Sequence, residues 1–249
     1  MTLGKGRLLA IASGKGGVGK TWVSISLAQA LAERGRRVLL VDGDFGLANI
    51  DVQLGLDPGR DLGDALAGGA LPAPHPAGFA VLVGRSGSGA LAGLEAAPVL
   101  ALLQRLGQAY DDVLLDLPAG VAPGVRRLAA RADLLLVVAT GEPTSLTDAY
   151  AVLKLHRQDA PNGAARVVVN QASGRLAGEA TWRTLDTACR RFLGAGVPLA
   201  GVIRRDALVP AAIRAQVPLL TRSPGAAAAA DVRALAAGLG APTPALLGA

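Results

Sequence analysis

Eight consecutive residues near the amino end combine four glycines with two lysines and a threonine: Gly14, Lys15, Gly16, Gly17, Val18, Gly19, Lys20 and Thr21. Glycines let a loop turn with positive φ, so that successive backbone N–H groups converge on an anion. The spacing matches the pattern in which the last lysine reaches the β- and γ-phosphates and the following hydroxyl binds Mg²⁺. The loop therefore predicts a site for a nucleoside triphosphate, with Lys20 as a catalytic contact and Thr21 as a metal ligand.

Lysine is rare in this chain, and the loop holds two of the four lysines. The 25 cationic residues are otherwise arginines. Lysine presents a compact point charge, whereas the arginine fork is bulkier and suits bidentate partners. We interpret Lys15 and Lys20 as phosphate contacts for this reason.

Carboxylates follow two further apolar runs. Asp42 and Asp44 come directly after the run at 37–41, and Asp116 ends the run that begins at Asp112. Because ligands bind at the carboxyl ends of strands in open α/β sheets, these side chains are expected beside the glycine loop. We expect Asp42 and Asp116 to hold Mg²⁺ through water. For Asp42 and Asp44 the alternative is a solvated turn, which is common after strands.

The elements that position these residues alternate between short apolar runs and amphipathic stretches. Strands are expected at about 8–13, 37–41, 79–83, 112–116, 134–139, 165–170 and 199–203, with helices between them. This order predicts a doubly wound α/β fold with a mostly parallel sheet of about seven strands. The stretch 57–76 is expected to be a loop. We expect one domain over residues 1–240 and a short flexible tail over 241–249.

The loop from Lys15 to Thr21 resembles the deviant Walker A motif, Lys-Gly-Gly-x-Gly-Lys-Thr, of the MinD/ParA family of dimeric ATPases. Within that family the chain is most similar to flagellar number regulators of the FlhG type, on the segments 44–56, 141–150 and 167–171. The likeness spans roughly residues 7–220. It implies a P-loop NTPase fold of the SIMIBI class that uses ATP and Mg²⁺.

The resemblance also implies roles for individual residues. Lys15 would cross a dimer interface to the phosphates of the other subunit, and Asp44 would orient the attacking water. Asp116 would belong to the Mg²⁺ shell, and Asn170 would contact the adenine edge. Arg204 is included among the nucleotide contacts, although members often have proline near this position. Trp22 follows the loop threonine, where a small residue is more usual, and would pack either on the nucleotide or in the core.

The function implied is an ATP-dependent dimerisation switch with slow hydrolysis that controls flagellar number or placement. Two alternatives remain open: a ParA-like ATPase that partitions DNA or cargo, and a scaffold that binds nucleotide without hydrolysing it. The expected partners are a second copy of the chain and a flagellar assembly or regulatory protein. The latter would be an FlhF-type GTPase, a component of the switch complex or a transcriptional regulator. Non-specific DNA is a further possible partner.

Composition limits the remaining classes. The net charge of +6 permits contact with DNA, an anionic membrane or an acidic partner, but aromatic residues make up only 3% of the chain and disfavour a base-stacking surface. The helix expected at 226–240 has one arginine, one aspartate and no aromatic residue, so membrane contact should be weak or indirect. With no apolar run of about 20 residues, we expect a cytoplasmic protein that a partner recruits to a cell pole or membrane.

The single cysteine, Cys189, excludes a disulfide within the chain and the cysteine set that an iron–sulfur cluster needs. It is expected to be a buried structural thiol. His75 and His156 are isolated in the sequence, and neither is expected to bind a metal or act as a general base.

Overall fold

The computed structural model describes residues 6–44, 48–57, 61–69, 72–84 and 96–239, and within these ranges eight strands form one sheet. The strands are Arg7–Ser13 (β1), Val38–Asp42 (β2), Ala73–Pro74 (β3), Ala80–Leu82 (β4), Asp112–Ala119 (β5), Leu134–Ala139 (β6), Ala165–Ala172 (β7) and Leu199–Arg204 (β8). Their order across the sheet is β3-β4-β2-β5-β1-β6-β7-β8. The strand that leads into the glycine loop, β1, therefore lies between β5 and β6 in the interior of the sheet.

All neighbouring strands run parallel except β3 and β4, which are antiparallel. The predicted doubly wound, mostly parallel α/β fold is confirmed. The described sheet has one strand more than predicted, because β3 consists of two residues at the sheet edge. Pro74 is tolerated there since an edge strand does not need every N–H for pairing.

The helices described are Lys20–Ala32 (α1), Ile50–Leu54 (α2), Leu62–Leu66 (α3), Ala96–Leu106 (α4), Pro123–Ala129 (α5), Pro143–Asp159 (α6), Arg175–Leu193 (α7), Leu208–Arg214 (α8), Leu219–Arg222 (α9) and Ala227–Leu239 (α10). One core layer packs α3 to α7 against one face of the sheet, and the other packs α1, α2 and α8 to α10 against the opposite face. Alternation along β1 serves both layers: Leu8 and Ala10 face the first, and Leu9 and Ile11 the second.

The prediction that residues 57–76 form a loop was wrong in part. Helix α3 lies within this stretch and begins with a capping box, in which Asp61 and Asp64 each accept a hydrogen bond from the other's backbone N–H at 3.1 Å. Strand β3 follows it. Because this stretch is rich in glycine and proline, its composition did not indicate either of these short elements.

The expected carboxyl-terminal packing helix is present as α10, and its apolar side lies in the second core layer. Its two charged residues bind other elements: Asp231 pairs with Arg204, and Arg233 with Glu33. The expected tail at 241–249, and with it the domain end, lies outside the described residues. Over the parts of the chain that are described, no helix is both long and apolar enough to cross a membrane.

Candidate nucleotide-binding site

The glycine loop joins β1 to α1 and leaves the first turn of α1 open. Gly17 and Gly19 adopt φ of 80° and 84°, in the left-handed region that favours glycine. Gly19 occupies the N-cap of α1 without a capping side chain, and the first turn carries no acidic residue. The N-terminal N–H groups of a helix without a cap are a ready site for an anion such as phosphate.

Close contacts fix the loop against two other elements. A Cβ on Gly14 would lie 2.4 Å from the carbonyl carbon and oxygen of Asp148 in α6. A Cβ on Gly19 would lie 2.5 Å from Nδ2 of Asn170 in β7. Gly16, by contrast, has open space around its Cβ position. The loop is therefore held at its two ends by α6 and β7, while Gly16 faces no neighbour.

Asp116, near the carboxyl end of β5, binds the start of α1. Its carboxylate is 1% exposed and lies 3.0 Å from Nζ of Lys20, 2.8 Å from Oγ1 of Thr21 and 2.8 Å from Oγ of Ser24. The expected meeting of Lys20, Thr21 and Asp116 is thus seen in the structure. Ser24 was not predicted, although it follows Lys20 by about one helical turn and so shares its face of α1.

Asp42 lies next to Asp116, since the two residues are in register on β2 and β5. Its carboxylate is 1% exposed and accepts backbone N–H bonds from Asp44, Asn49 and Ile50 at 3.0, 3.0 and 3.1 Å. Burial, and after it the charge of Asp116, raise the pKa of Asp42 to about 7. For Asp42 the alternative of a solvated turn is wrong.

Asp44 is half-buried at the end of this segment, and residues 45–47 after it lie outside the described residues. Its backbone N–H binds Asp42, which places Asp44 on the same edge of the sheet as the glycine loop. The structure thus brings Asp44 close to the site.

Lys15 lies in a different environment from Lys20. Its Nζ lies 2.6 Å from Oε2 of Glu142 and 3.1 Å from Oγ1 of Thr144, at the start of α6. The Lys15 side chain is 31% exposed, whereas that of Lys20 is 9% exposed. The nearby ammonium of Lys15 lowers the pKa of Glu142. The two lysines of the loop are therefore bound to different carboxylates.

A cavity of about 500 Å³ opens beside the loop, between α1, the end of β7 and the segment after β8. It is lined by Gly17, Gly19, Trp22, Asn170, Gln171, Arg204, Arg205, Asp206, Val209, Pro210, Ile213 and Arg214. Its volume and apolar lining suit a flat aromatic base. Five residues of the predicted set line this cavity: Gly17 and Gly19 of the loop, with Trp22, Asn170 and Arg204.

Hydrogen bonds orient the polar side chains of this cavity. Nδ2 of Asn170 donates to the carbonyl of Val18 at 2.8 Å, which leaves its Oδ1 as an acceptor. Arg204 is held by Asp231 through Nε and Nη2, at 2.8 and 2.9 Å. Trp22 is 5% exposed and belongs to the core, as one of the two expectations for it had it, and it also lines the cavity.

Several lining residues were not predicted. Gln171 has φ of 57° and donates to the carbonyl of Gly17 at 3.3 Å. Val209, Pro210 and Ile213 come from α8 and contribute apolar surface. The only signal for Gln171 was its place after Asn170. Pro210 supplies a proline to this cavity, six residues beyond the position of Arg204.

The residues present fit a magnesium nucleotide. Thr21 offers a hydroxyl, and Asp42 and Asp116 offer buried carboxylates within one cluster. Among the described residues no group of three or more His, Cys, Asp and Glu forms a metal site. Mg²⁺ bound with nucleotide does not need one, because it takes one or two protein ligands with phosphate oxygens and water.

The other single candidates lie away from this cluster. Cys189 is buried in the first core layer, as predicted, and burial raises the pKa of its thiol. His75 stacks on Phe79 with ring centroids 4.8 Å apart. His156 lies inside α6 and is 4% exposed.

An uncapped helix start behind a glycine turn, with buried aspartates on the two adjacent strands, defines a P-loop nucleotide-binding protein of the α/β class. Residues 9–219 match the CobQ/CobB/MinD/ParA nucleotide binding domain. The chain is 37% identical over 237 residues to the antiactivator FleN of Pseudomonas aeruginosa, covering 92% of this chain and 85% of FleN. It therefore belongs to the MinD/ParA family of P-loop ATPases, and its resemblance to the flagellar members is confirmed.

Other relatives agree with this assignment. The flagellum site-determining protein YlxH of Helicobacter pylori is 30% identical over 189 residues, which are 73% of this chain and 64% of YlxH. The cell division ATPase MinD of Pyrococcus furiosus has a similar structure, with a TM-score of 0.79 at 28% identity, covering 94% of this chain and 98% of that one. MinD of Pyrococcus horikoshii, solved in complex with Mg-ADP, gives the same score and identity over 94% and 96%. The family therefore uses nucleotide and Mg²⁺.

Proposed function

We propose that this protein is an ATP-dependent dimerisation switch that hydrolyses ATP slowly and controls the number or placement of flagella. The observation that carries the switch is the separation of Lys15 from Lys20. Lys20 is buried against Asp116 inside the phosphate cradle, whereas Lys15 is bound to Glu142 at the rim. The flagellar role rests on the likeness to FleN and YlxH.

Lys20 and the N–H groups of the loop would hold the β- and γ-phosphates. To do so, the Nζ of Lys20 would exchange its contact with Asp116 for a phosphate oxygen, which removes the ammonium from the Asp116 carboxylate. Thr21, and Asp42 and Asp116 through water, would hold Mg²⁺, which when bound neutralises charge on the phosphate oxygens. The base would enter the cavity between Trp22 and Pro210, with Oδ1 of Asn170 as an acceptor for an amino group.

Lys15 would leave Glu142 and reach the phosphates of a second subunit, and Asp44 would orient the attacking water. Moving a monomer–dimer equilibrium from 1:99 to 99:1 takes about 5.5 kcal/mol of differential binding. Two γ-phosphates, each contacted by Lys15 of the opposite subunit, are a plausible source of that difference. Hydrolysis removes those contacts, so the dimer dissociates.

Mixing two inactive variants tests the exchange of Lys15 between subunits. Lys20→Ala should lose MgATP binding. Lys15→Ala should retain it but lose ATP-dependent dimerisation and turnover, by a factor approaching the roughly 10³ that a trans-acting cation contributes. In the mixture, an intact pocket on one chain meets an intact Lys15 on the other, so ATPase activity should return.

Lys154→Ala is the matched control, because Lys154 is exposed on α6 away from the loop. Failure of the mixture to recover any activity, with both variants folded, would show that Lys15 acts within its own subunit and would refute the proposed dimer.

Asp44→Ala should bind MgATP and accumulate as dimer in size-exclusion chromatography. The cellular role is tested by counting flagella per cell in a deletion strain that carries the Lys20→Ala variant. A count equal to that of the same strain carrying the wild-type protein would refute the proposed role.

A further inference from the structure

A basic groove lies between α4 and α5, on the sheet face opposite α1. It encloses about 540 Å³. Its lining combines small or apolar residues with three arginines and one aspartate: Ala96, Ala97, Leu100, Pro123, Ala130, Arg126, Arg127, Arg131 and Asp159. We call this set the α4–α5 groove. None of its residues belongs to the candidate nucleotide site.

The arginines of the α4–α5 groove differ in their pairing. Arg126 makes a bidentate pair with Asp159, with Nε and Nη2 at 2.8 and 2.6 Å from the carboxylate oxygens. Arg127 and Arg131 are exposed, and neither forms an ion pair with any described residue. The single aspartate is thus already used by Arg126, and two arginine forks remain available. Such forks match carboxylates in geometry as well as charge.

The size and polarity of the side chains that line the α4–α5 groove indicate which kind of partner it can bind. Alanines at 96, 97 and 130 leave room, and Leu100 gives the floor an apolar contact. Among the described residues no aromatic side chain lines the groove, so these residues offer no surface on which nucleic-acid bases could stack. We propose that the α4–α5 groove docks an acidic segment of a partner protein, with carboxylates on Arg127 and Arg131 and an apolar side chain against Leu100.

The position of α5 connects this surface to the nucleotide. Helix α5 starts at Pro123, directly after β5, which carries Asp116. Between them, Gly120 has φ of 96°, and its N–H donates to the carbonyl of Ser13 at 2.8 Å, just before the glycine loop. A change of partner at Asp116 can therefore pass to α5 through a few residues. This coupling rests on the proposed function, whereas the docking does not.

A random peptide library panned on the full-length protein, once with MgADP and once with a non-hydrolysable ATP analogue, tests the docking. Selected peptides should carry two or more acidic residues beside an apolar one. Arg127→Glu with Arg131→Glu should weaken their binding at least about tenfold, with strong salt dependence. Arg34→Glu with Arg222→Glu changes the net charge equally at exposed arginines outside the groove, and should change binding less than about twofold.

Selection of peptides without acidic residues, or equal losses in the two double variants, would overturn the proposal. So would loss of retention on duplex DNA or on phosphatidylglycerol vesicles in the groove variant, with peptide binding unchanged. If the charge reversal impairs folding, Arg127→Gln with Arg131→Gln takes its place and should give a smaller loss in the same direction. Equal peptide affinity in both nucleotide states would overturn the coupling alone. MgATP binding by wild type, measured in parallel, reports separately on the proposed function.

Discussion

At the level of a single residue, the ion pair between Lys15 and Glu142 opposes the movement of Lys15 that the proposed dimer requires. The Nζ of Lys15 must leave Glu142 and Thr144 before it can reach another subunit. The pair is exposed, and exposed pairs stabilise by about 0–1 kcal/mol. Glu142 thus restrains Lys15 only weakly.

Removing the carboxylate should therefore favour the dimer modestly. Glu142→Gln should lower the protein concentration for half-maximal ATP-dependent dimerisation by about two- to fivefold, the equivalent of a weak surface pair. Analytical ultracentrifugation with a non-hydrolysable ATP analogue measures it. Glu179→Gln, which removes the exposed pair with Arg183 on α7, is the control. Weaker dimerisation of Glu142→Gln would mean that Glu142 positions Lys15 instead of restraining it.

His156 gives the protein a stability that depends on pH. Within the described chain neither ring nitrogen has a hydrogen-bond partner, and burial lowers the pKa of His156 although Asp159 raises it. The unfolded chain therefore binds a proton more readily, so stability falls as the pH drops through the unfolded value of about 6.5. His156→Leu should lose less stability than wild type between about pH 7.5 and about pH 5.5 in urea unfolding.

His75→Leu is the control for that comparison. His75 is only half-buried, and its Nδ1 accepts a bond from the N–H of Ala77. The substitution of His75 should flatten the pH dependence less than that of His156. Parallel slopes for wild type and His156→Leu would show that His156 does not carry the effect.

The chemistry of the site could be predicted where neighbouring residues carry it. The residues from Gly14 to Thr21 are consecutive, and their backbone N–H groups and the side chains of Lys20 and Thr21 are expected to act at one site, so the local sequence suffices to find them. Gln171 and Pro210 could not be found in this way, because their contacts with the loop and the cavity depend on how β7 and α8 approach it. Arg204 was identified, but its pairing with Asp231 is a long-range contact that spacing does not reveal.

At the level of elements, the turn between β1 and α1 depends on its closeness to α6. Gly14→Ala should destabilise the protein by about 1–3 kcal/mol or more, because the new Cβ would overlap the backbone of Asp148 at 2.4 Å. Gly16→Ala, in the same loop but with open space, should change stability by less than about 0.5 kcal/mol. Urea unfolding of both variants without nucleotide decides the matter. Equal losses would show that the loop tolerates no Cβ at either position.

Elements that contain an apolar run could be predicted from the sequence, including the three-residue strand β4, whereas β3 and α3 could not. The buried strands β1, β5, β6 and β7 each contain an apolar run of three or more residues, as expected of parallel strands covered on both faces. The two residues of β3 and the five of α3 have no periodicity to detect. Their structure comes from pairing with β4 and from the capping box of Asp61, so it depends on contacts more than on pattern.

At the level of the whole molecule, hydrogen bonds connect α10 with β8, beside the base cavity, and with β1. Asp231 binds the backbone and side chain of Arg204 at the end of β8, and the carbonyl of Leu239 accepts a bond from Arg7 in β1 at 2.6 Å. The last described helix thus fastens an edge strand and a central strand. The order of strands that makes this possible follows from chain topology, which composition and motif spacing do not fix.

Asp231→Asn should therefore affect both stability and the site. Loss of the buried carboxylate removes the ion pairs that Asp231 makes with Arg204 and Arg175, and we expect a loss of stability of about 1–3 kcal/mol with weaker MgATP binding. Arg233→Ala, on the same helix as Asp231, breaks the exposed pair with Glu33 and a hydrogen bond to the carbonyl of Pro224, and should cost less than about 1 kcal/mol with unchanged binding. Calorimetry of both variants makes the comparison. Unchanged MgATP affinity of Asp231→Asn would show that α10 does not influence the base cavity.

The two tryptophans of the chain lie on opposite sides of the sheet. Trp22 lines the base cavity, while Trp182 on α7 donates its indole N–H to the carbonyl of Val197 at 2.8 Å. Trp182→Phe would thus leave a chain whose tryptophan emission arises from a single indole at the cavity wall. The fluorescence of Trp22 would then report the binding of a ligand in the cavity. Binding could be followed in real time by stopped-flow fluorescence without attaching a dye.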